Sequence, residues 1–193
     1  QFLPALRTMC DRIGAVLIFD EIVMGFRLRR AGAQEYFGVT PDLAVFAKGI
    51  SNGVPLSTYL GRADIMDAVE KVVISSTFGG DTLGLAAAGA VLDIYEQEDV
   101  IGELWARGEQ LHTGFAALAE SQGVEANFAG LPPVGMLQLP DGVDRLQFEG
   151  ACLNRGVITF SVYYPSYSHS EADIDEALGA MGAALQQIMS DPA

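Results

Sequence analysis

Two short apolar runs, each followed directly by charged residues, constrain the fold of this chain most strongly. Residues 15–19 are all apolar and lead into Asp20 and Glu21, and residues 43–47 are all apolar and lead into Lys48. Uninterrupted apolar runs of this length predict strands buried on both faces, as in a parallel sheet. In such a sheet, functional side chains gather at the carboxyl ends of the strands. We therefore expect an α/β fold with Asp20 and Lys48 at neighbouring strand ends.

An acid and a lysine in these positions suit a cofactor that carries both an aldehyde and a basic ring nitrogen. The lysine amine can hold the aldehyde as a Schiff base, and the acid can pair with the protonated ring nitrogen. The pattern predicts pyridoxal 5'-phosphate (PLP) chemistry, with Lys48 catalytic and Asp20 binding the cofactor. Strand-end carboxylates also commonly serve turns, and lysines after strands are commonly solvated, so those interpretations stay open. Glu21 should face away from Asp20 because side chains alternate along a strand.

A third feature is a run of hydroxyl residues and glycines at residues 75–80, ahead of a predicted helix. Hydroxyl groups and flexible glycines can cradle a phosphate group. Asp81 is the predicted N-cap of that helix, and its carboxylate would repel a phosphate from the helix axis. We therefore expect the Thr77 hydroxyl and nearby amides to contact phosphate. An ordinary Ser/Gly turn fits the same residues.

The remaining candidate residues favour structural roles. His112 falls inside a predicted helix, and His169 stands just before a predicted N-cap followed by first-turn acids. Two distant histidines with no cysteine nearby predict no zinc site. Tyr163 and Tyr164 could line a substrate pocket, but core packing is the favoured interpretation.

Composition narrows the possible partners and location. The 193 residues are 50% hydrophobic and 19% charged, which allows a large core. A net charge of −14 argues against nucleic acid and anionic membranes as partners, and no apolar stretch approaches the ~18 residues that span a bilayer. Cys10 and Cys152, without a visible secretory segment, predict a reducing, cytoplasmic location. Gln1 is no initiator methionine, so the sequence is expected to begin inside a domain, as a fragment would.

Periodicity and turn signals divide the chain into helices and strands. Predicted helices span residues 2–13, 62–70, 82–97, 99–121, 143–155 and 171–189, and predicted strands end at Asp20 or span residues 43–47, 56–60, 124–128 and 134–139. Residues 25–42 predict an irregular loop, and residues 72–74 an extended segment. A boundary near residue 100 separates a sheet-centred domain, residues 1–100, from a smaller α/β domain, residues 101–193.

Several motifs in this order resemble the class III (subgroup II) aminotransferases, which are fold type I PLP enzymes. Residues 20–27, Asp-Glu-Ile-Val-Met-Gly-Phe-Arg, resemble the family stretch Asp-Glu-Val-x-x-Gly-Phe-Arg. Residues 32–43 look like the glutamate-1-semialdehyde aminomutase branch. Residues 48–55 resemble the Schiff-base lysine segment, residues 76–80 the phosphate-contacting stretch, and residues 168–174 the start of the closing helix.

The resemblance implies a fold and a set of roles. Residues 1–100 would be the C-terminal part of the large PLP-binding domain, and residues 101–193 the small C-terminal α/β domain. Lys48 would form the Schiff base and shuttle a proton, Asp20 would pair with the pyridinium nitrogen, and Ile22 would pack on the ring face. Thr77 would bind the phosphate, in this family typically that of the neighbouring subunit, which implies a homodimer with shared active sites. Family members are roughly twice as long, so the fragment alone is expected to bind PLP poorly and to be inactive.

Departures from the aminomutase pattern shape the functional prediction. The family usually has Asn-Pro where this chain has Asp81-Thr82, and the aminomutase branch has a glycine run after its lysine. The branch also has an acid where residues 160–164 have none. These differences favour an aminotransferase that moves an amino group between an amino compound and a keto acid. The alternatives are glutamate-1-semialdehyde 2,1-aminomutase or a related PLP isomerase or racemase, and, second, a non-catalytic scaffold fragment.

Overall fold

The computed structural model describes residues 1–72 and 77–190. The helices are α1 (Phe2–Ile13), α2 (Ala33–Phe37), α3 (Ala63–Met66), α4 (Thr82–Gln97), α5 (Val100–Ser121), α6 (Arg145–Leu153) and α7 (Glu171–Ser190). The strands are β1 (Ile18–Asp20), β2 (Leu43–Phe46), β3 (Thr58–Gly61), β4 (Asn127–Leu131), β5 (Val134–Gln138) and β6 (Val162–Tyr163). Two short 3-10 turns span Lys48–Ile50 and Asp67–Lys71. Most of the predicted extended segment at 72–74, with Ser75 and Ser76, lies outside the described residues.

The chain divides into two compact units, Gln1–Ile101 and Gly102–Ala193. The first unit is built on a three-stranded sheet in the order β1-β2-β3. Strands β1 and β2 run parallel, with Asp20 opposite Val45, and β3 pairs antiparallel with the other side of β2. Parallel pairing of β1 and β2 brings their carboxyl ends to one edge of this sheet, as the apolar runs predict.

Alternation along β1 separates the core from the open face of the sheet. Phe19 and Ala44, which are partners in register, are both buried, whereas Ile18 and Asp20 are exposed. Two apolar clusters cover the buried side: Cys10, Leu17, Phe19 and Val39 pack with α1, and Phe26, Ala44 and Phe46 pack with Tyr95 of α4. Burial of Phe19 therefore directs the Asp20 side chain to the opposite, accessible face.

Local signals set the ends of several helices. Helix α1 ends at Gly14, whose φ of 69° is the left-handed conformation that glycine adopts at helix C-termini. Helix α4 begins after Asp81, whose carboxylate accepts a hydrogen bond from the Leu83 N–H at 3.3 Å. The predicted N-cap role of Asp81 is therefore observed.

The second unit combines helices with an antiparallel sheet in the order β4-β5-β6. Its core is continuous and contains Phe115 of α5, Leu137 of β5, Phe148 of α6, and Met181 and Leu185 of α7. Helix α7 opens with a capping box, in which the Ser170 hydroxyl accepts from the Asp173 N–H and the Asp173 carboxylate accepts from the Ser170 N–H. The Asp173 carboxylate also accepts from the Ser170 hydroxyl at 2.7 Å. This bond, and after it the bond from the Ser170 N–H, lowers the pKa of Asp173.

Some predicted elements differ from the structure at their edges. The segment at 25–42 is mostly turns, as expected, but includes the short helix α2. Strand β4 begins at Asn127, three residues later than predicted, and the two-residue strand β6 was not predicted. A two-residue strand has no sequence period of its own and exists only through its pairing with β5. Within the described residues, no helix combines the length and apolar character that crossing a bilayer requires.

Candidate active site at the carboxyl edge of the first sheet

The structure brings Asp20 and Lys48 to the ends of adjacent parallel strands. Asp20 is the last residue of β1 and lies opposite Val45, three residues before Lys48. Lys48 follows β2 immediately after Ala47 and begins a 3-10 turn. Both side chains are exposed. The two residues that the sequence singled out therefore occupy one edge of one sheet.

The two neighbouring acids face different surroundings. The Asp20 Oδ1 atom accepts a hydrogen bond from the Ile22 N–H at 3.0 Å and its side chain stays exposed. Glu21 is 1% exposed and points into the protein. Its carboxylate accepts from the N–H groups of Ala33 and Gln34, each at 2.9 Å. Glu21 thus faces away from Asp20, as the strand alternation predicts. Both carboxylates also accept hydrogen bonds from backbone N–H groups of residues that follow them in the chain.

The backbone at Lys48 is in a conformation that few residues other than glycine adopt. Its φ is 47°, and Asn52 follows with a φ of 44°. The N–H groups of Ser51 and Asn52 donate to the Lys48 carbonyl at 3.3 and 2.9 Å and close the turn. Non-glycine residues in the left-handed region are uncommon and cluster at functional sites. At Lys48 the backbone therefore departs from the extended conformation of β2.

An aromatic cluster of Phe26, Phe46 and Tyr95 packs next to the turn at Lys48. The sequence analysis did not predict this cluster. Phe26, itself at a φ of 63°, packs edge-on against Phe46 at 6.0 Å and against Tyr95 at 5.5 Å between ring centroids. The Tyr95 hydroxyl donates to the Phe26 carbonyl at 2.6 Å, and burial raises the pKa of Tyr95. A Cβ added at Gly49 would stand 3.3 Å from the Phe26 Cβ. The only signal for this cluster was the aromatic character of its members.

The other predicted cofactor residues lie in accessible positions. Ile22 is half-buried, two residues beyond Asp20, and Thr77 is exposed in the turn before α4. The carboxylate, the amine and the hydroxyl match the three polar groups of PLP, namely the ring nitrogen, the aldehyde and the phosphate. The chemistry of these three groups therefore fits that cofactor.

Residues of the second unit show structural roles. The His169 Nδ1 atom accepts from the Ser166 N–H at 3.2 Å, just before α7. His112 stacks on Phe128 at 5.0 Å between ring centroids, and burial lowers its pKa. Tyr163 packs against the core and contacts Phe128 at 4.8 Å, while burial raises its pKa. Core packing, rather than a pocket, is what the structure shows for Tyr163.

Comparison with known proteins places these features in a family. The family model for "Aminotransferase class-III" matches residues 1–185. Glutamate-1-semialdehyde 2,1-aminomutase from Syntrophobacter fumaroxidans is 35% identical over 207 residues, covering 97% of this chain and 48% of that protein. The enzyme of the same name from Methanosarcina acetivorans is 31% identical over 200 residues, covering 93% of this chain and 47% of its own length. The chain spans about half the length of the curated relatives it matches.

Solved structures agree with the sequence relatives. The PLP internal aldimine form of the FumI protein from Sphingopyxis sp. MTA144 superposes with a TM-score of 0.91 at 28% identity, covering 98% of this chain and 47% of that one. A β-phenylalanine aminotransferase from Variovorax paradoxus gives 0.88 at 27% identity, covering 98% of this chain and 48% of its own. The predicted fold class, an α/β fold type I transferase, is confirmed. The chain belongs to the class III aminotransferase family, whose cofactor is pyridoxal phosphate.

Proposed function

We propose that the protein to which this chain belongs is a PLP-dependent aminotransferase that moves an amino group between an amino compound and a keto acid. The observation that carries the proposal is the position of Asp20 and Lys48 at the carboxyl ends of adjacent parallel strands. When bound, PLP supplies an electron sink for the bond that breaks at the substrate carbon. The protein must hold that ring in place and move protons beside it.

Lys48 and Asp20 divide these tasks. The Lys48 Nζ atom would bind the aldehyde carbon covalently and, once released, carry a proton at the reacting carbon. The Asp20 carboxylate would hold the proton on the ring nitrogen, while its bond from the Ile22 N–H fixes its direction. Ile22 would pack on the ring face, and the Thr77 hydroxyl would donate to the phosphate. Cofactor-binding residues are therefore Asp20, Ile22, Lys48 and Thr77, and the catalytic residue is Lys48.

The same proposal includes the partners. The small-molecule partners are an amino donor and a keto acceptor. Thr77 would contact the phosphate held by a second copy of the protein, so the active protein would be a homodimer with shared sites. The exposure of Thr77 in its turn is consistent with that role. The location is proposed to be cytoplasmic.

Glutamate-1-semialdehyde 2,1-aminomutase is the second candidate, because the sequence relatives carry that name. The segment after Lys48 and the acid-free residues 160–164 favour the transferase. A keto acceptor separates the two activities, because only a transferase consumes it in proportion to the amino donor. A non-catalytic scaffold fragment is the third possibility, and the presence of both Asp20 and Lys48 argues against it.

Lys48→Ala in the complete protein tests the central assignment. We expect the wild-type protein to show the visible absorption band of covalently held PLP and to trap the cofactor on borohydride reduction. The variant should lose both, since an alanine side chain cannot form a Schiff base with the cofactor aldehyde. Lys71→Ala is the matched control, because Lys71 is the other lysine of the sequence and should leave both signals unchanged. An unaltered band in Lys48→Ala would rule out the lysine assignment.

A further inference from the structure

Glu21 is a buried acid next to Asp20 in the chain, and it has no role in the proposed binding of the cofactor. It is 1% exposed, yet none of the salt bridges observed among the described residues includes it. A buried carboxylate without a cation is costly unless hydrogen bonds satisfy it. Here two backbone N–H groups, those of Ala33 and Gln34, provide those bonds at 2.9 Å.

Three sets of bonds tie Glu21 to different parts of the first unit. Its N–H donates to the Val45 carbonyl at 2.9 Å, which continues the pairing of β1 with β2. Its carbonyl accepts from the Gly25 N–H at 2.9 Å. Its side chain reaches the start of α2, where a Cβ at Gly32 would collide with the carboxylate. Glu21 therefore joins β2, the strand that leads to Lys48, to the loop that follows Asp20.

The position of Asp20 is fixed by the residues on both sides of it in the chain. Phe19 precedes it and is held in the core, and Ile22, whose N–H binds the Asp20 carboxylate, follows Glu21 directly. Movement of Glu21 would shift Ile22 and with it the direction of the Asp20 oxygen atoms. We propose that Glu21 is a positioning residue that orients Asp20 toward the ring nitrogen of PLP, an inference that rests on the function proposed above.

Two variants loosen the anchor in different ways. Glu21→Gln keeps the shape but replaces one acceptor oxygen with an NH₂ group, which faces a backbone donor. Ala33→Pro removes a donor instead, and position 33 is the first residue of α2, where proline is well tolerated. Glu35→Gln is the matched control, since Glu35 accepts from the Ala31 N–H at 3.0 Å in the same loop but is exposed.

The measurements are the PLP dissociation constant, the position of the visible band and the melting temperature of the apoprotein, all on the complete protein. We expect Glu21→Gln and Ala33→Pro each to raise the dissociation constant about tenfold, by analogy with the loss of a hydrogen-bond partner that orients a metal ligand. The band should shift in both variants. The double variant should also lose about tenfold, not a hundredfold, because both changes weaken the same attachment of the Glu21 side chain to the start of α2. Glu35→Gln should change the dissociation constant less than about twofold and leave the band in place.

Asp20→Asn separates failure of this inference from failure of the proposed function. If Asp20→Asn loses the cofactor while Glu21→Gln and Ala33→Pro bind it as the wild type does, the positioning role is wrong and the proposed function stands. Equal losses in Glu35→Gln would also overturn the positioning role, because they would reflect general loosening of the loop. If Asp20→Asn binds PLP normally, the proposed function fails and the inference fails with it. Should Glu21→Gln not fold, Ala33→Pro decides.

Discussion

The two opposite edges of the first sheet each carry an aspartate, and the two aspartates differ in exposure and bonding. At the carboxyl edge, Asp20 is exposed and accepts one hydrogen bond, from the Ile22 N–H. At the amino edge, Asp42 has a side chain that is 6% exposed, and it accepts from the Leu17 N–H at 2.7 Å and from Arg7 and Arg62, each at 2.8 Å. The amino edge thus uses its acid for stability, while the carboxyl edge leaves its acid able to bind a ligand.

The bonds of Asp42 explain what it stabilises. Arg7 belongs to α1, Leu17 directly precedes β1, and Arg62 directly follows β3, so one carboxylate connects three parts of the unit. The Leu17 N–H, and after it Arg62 and Arg7, hold the pKa of Asp42 well below its ordinary value. The comparison teaches that the accessible acid, not the most strongly bound one, lies at the edge that we propose binds the cofactor.

The largest expected effect separates the two acids by activity. Asp20→Asn should reduce kcat/KM about 10³-fold, comparable with the contribution of a side chain positioned for proton transfer. Its melting temperature should change little, because the side chain is exposed. Steady-state kinetics and thermal unfolding of the complete protein measure the two effects. A large loss of stability with full activity would show that Asp20, like Asp42, stabilises the fold and does not act in catalysis.

Asp42→Asn should show the opposite pattern. The amide cannot balance two guanidinium groups, so the melting temperature should fall by several degrees while kcat of the folded protein stays near the wild-type value. Asp11→Asn is the control, because Asp11 is exposed and, among residues 1–72 and 77–190, its ion pair is with Arg7 of the same helix, at 2.6 Å. Equal melting temperatures for the Asp42 and Asp11 variants would show that the amino edge contributes no special stability.

The pH dependence of stability sharpens the same contrast. The pKa of Asp42 is lower in the folded than in the unfolded protein, where it is about 3.9. The unfolded chain therefore binds the proton first, and the contribution of Asp42, complete well above that value, is lost as the pH falls below about 4. Denaturant unfolding at pH 6, 4 and 3 should show a shallower acid-side decline in Asp42→Asn than in the wild type.

The smallest expected effect concerns the support of the Lys48 turn. Tyr95→Phe removes the hydroxyl that donates to the Phe26 carbonyl and keeps the aromatic packing. It should destabilise the protein by about 1 kcal/mol, the usual net value of one hydrogen bond, and lower kcat less than the Asp20 variant does. Tyr59→Phe, at an exposed position, is the control. Denaturant titration gives the free energy of unfolding of both variants. Equal values for Tyr95→Phe and Tyr59→Phe would show that the Tyr95 hydroxyl does not stabilise the turn.

Strong local signals explain which elements could be predicted. Helices α1 and α4 have the predicted bounds, because Gly14 and Asp81 act through nearby backbone groups. The fold class and the family were predictable because several short motifs occur in the expected order. The start of β4 and the existence of β6 were not, since they depend on pairing with β5. The assignments of Asp20, Ile22, Lys48 and Thr77 to the cofactor stay predictions that the variants above can test.

Sequence alone determined which chemical groups this protein can offer, because an apolar run followed by Asp20 or Lys48 is a local pattern. Only the tertiary structure decided the register of the two runs, in which Asp20 lies opposite Val45, and the backbone groups at the start of α2 that the Glu21 carboxylate binds. Those outcomes depend on hydrogen bonds between segments separated by 12 or more residues. No local periodicity encodes such bonds, and the chain acquires them only when its core is packed.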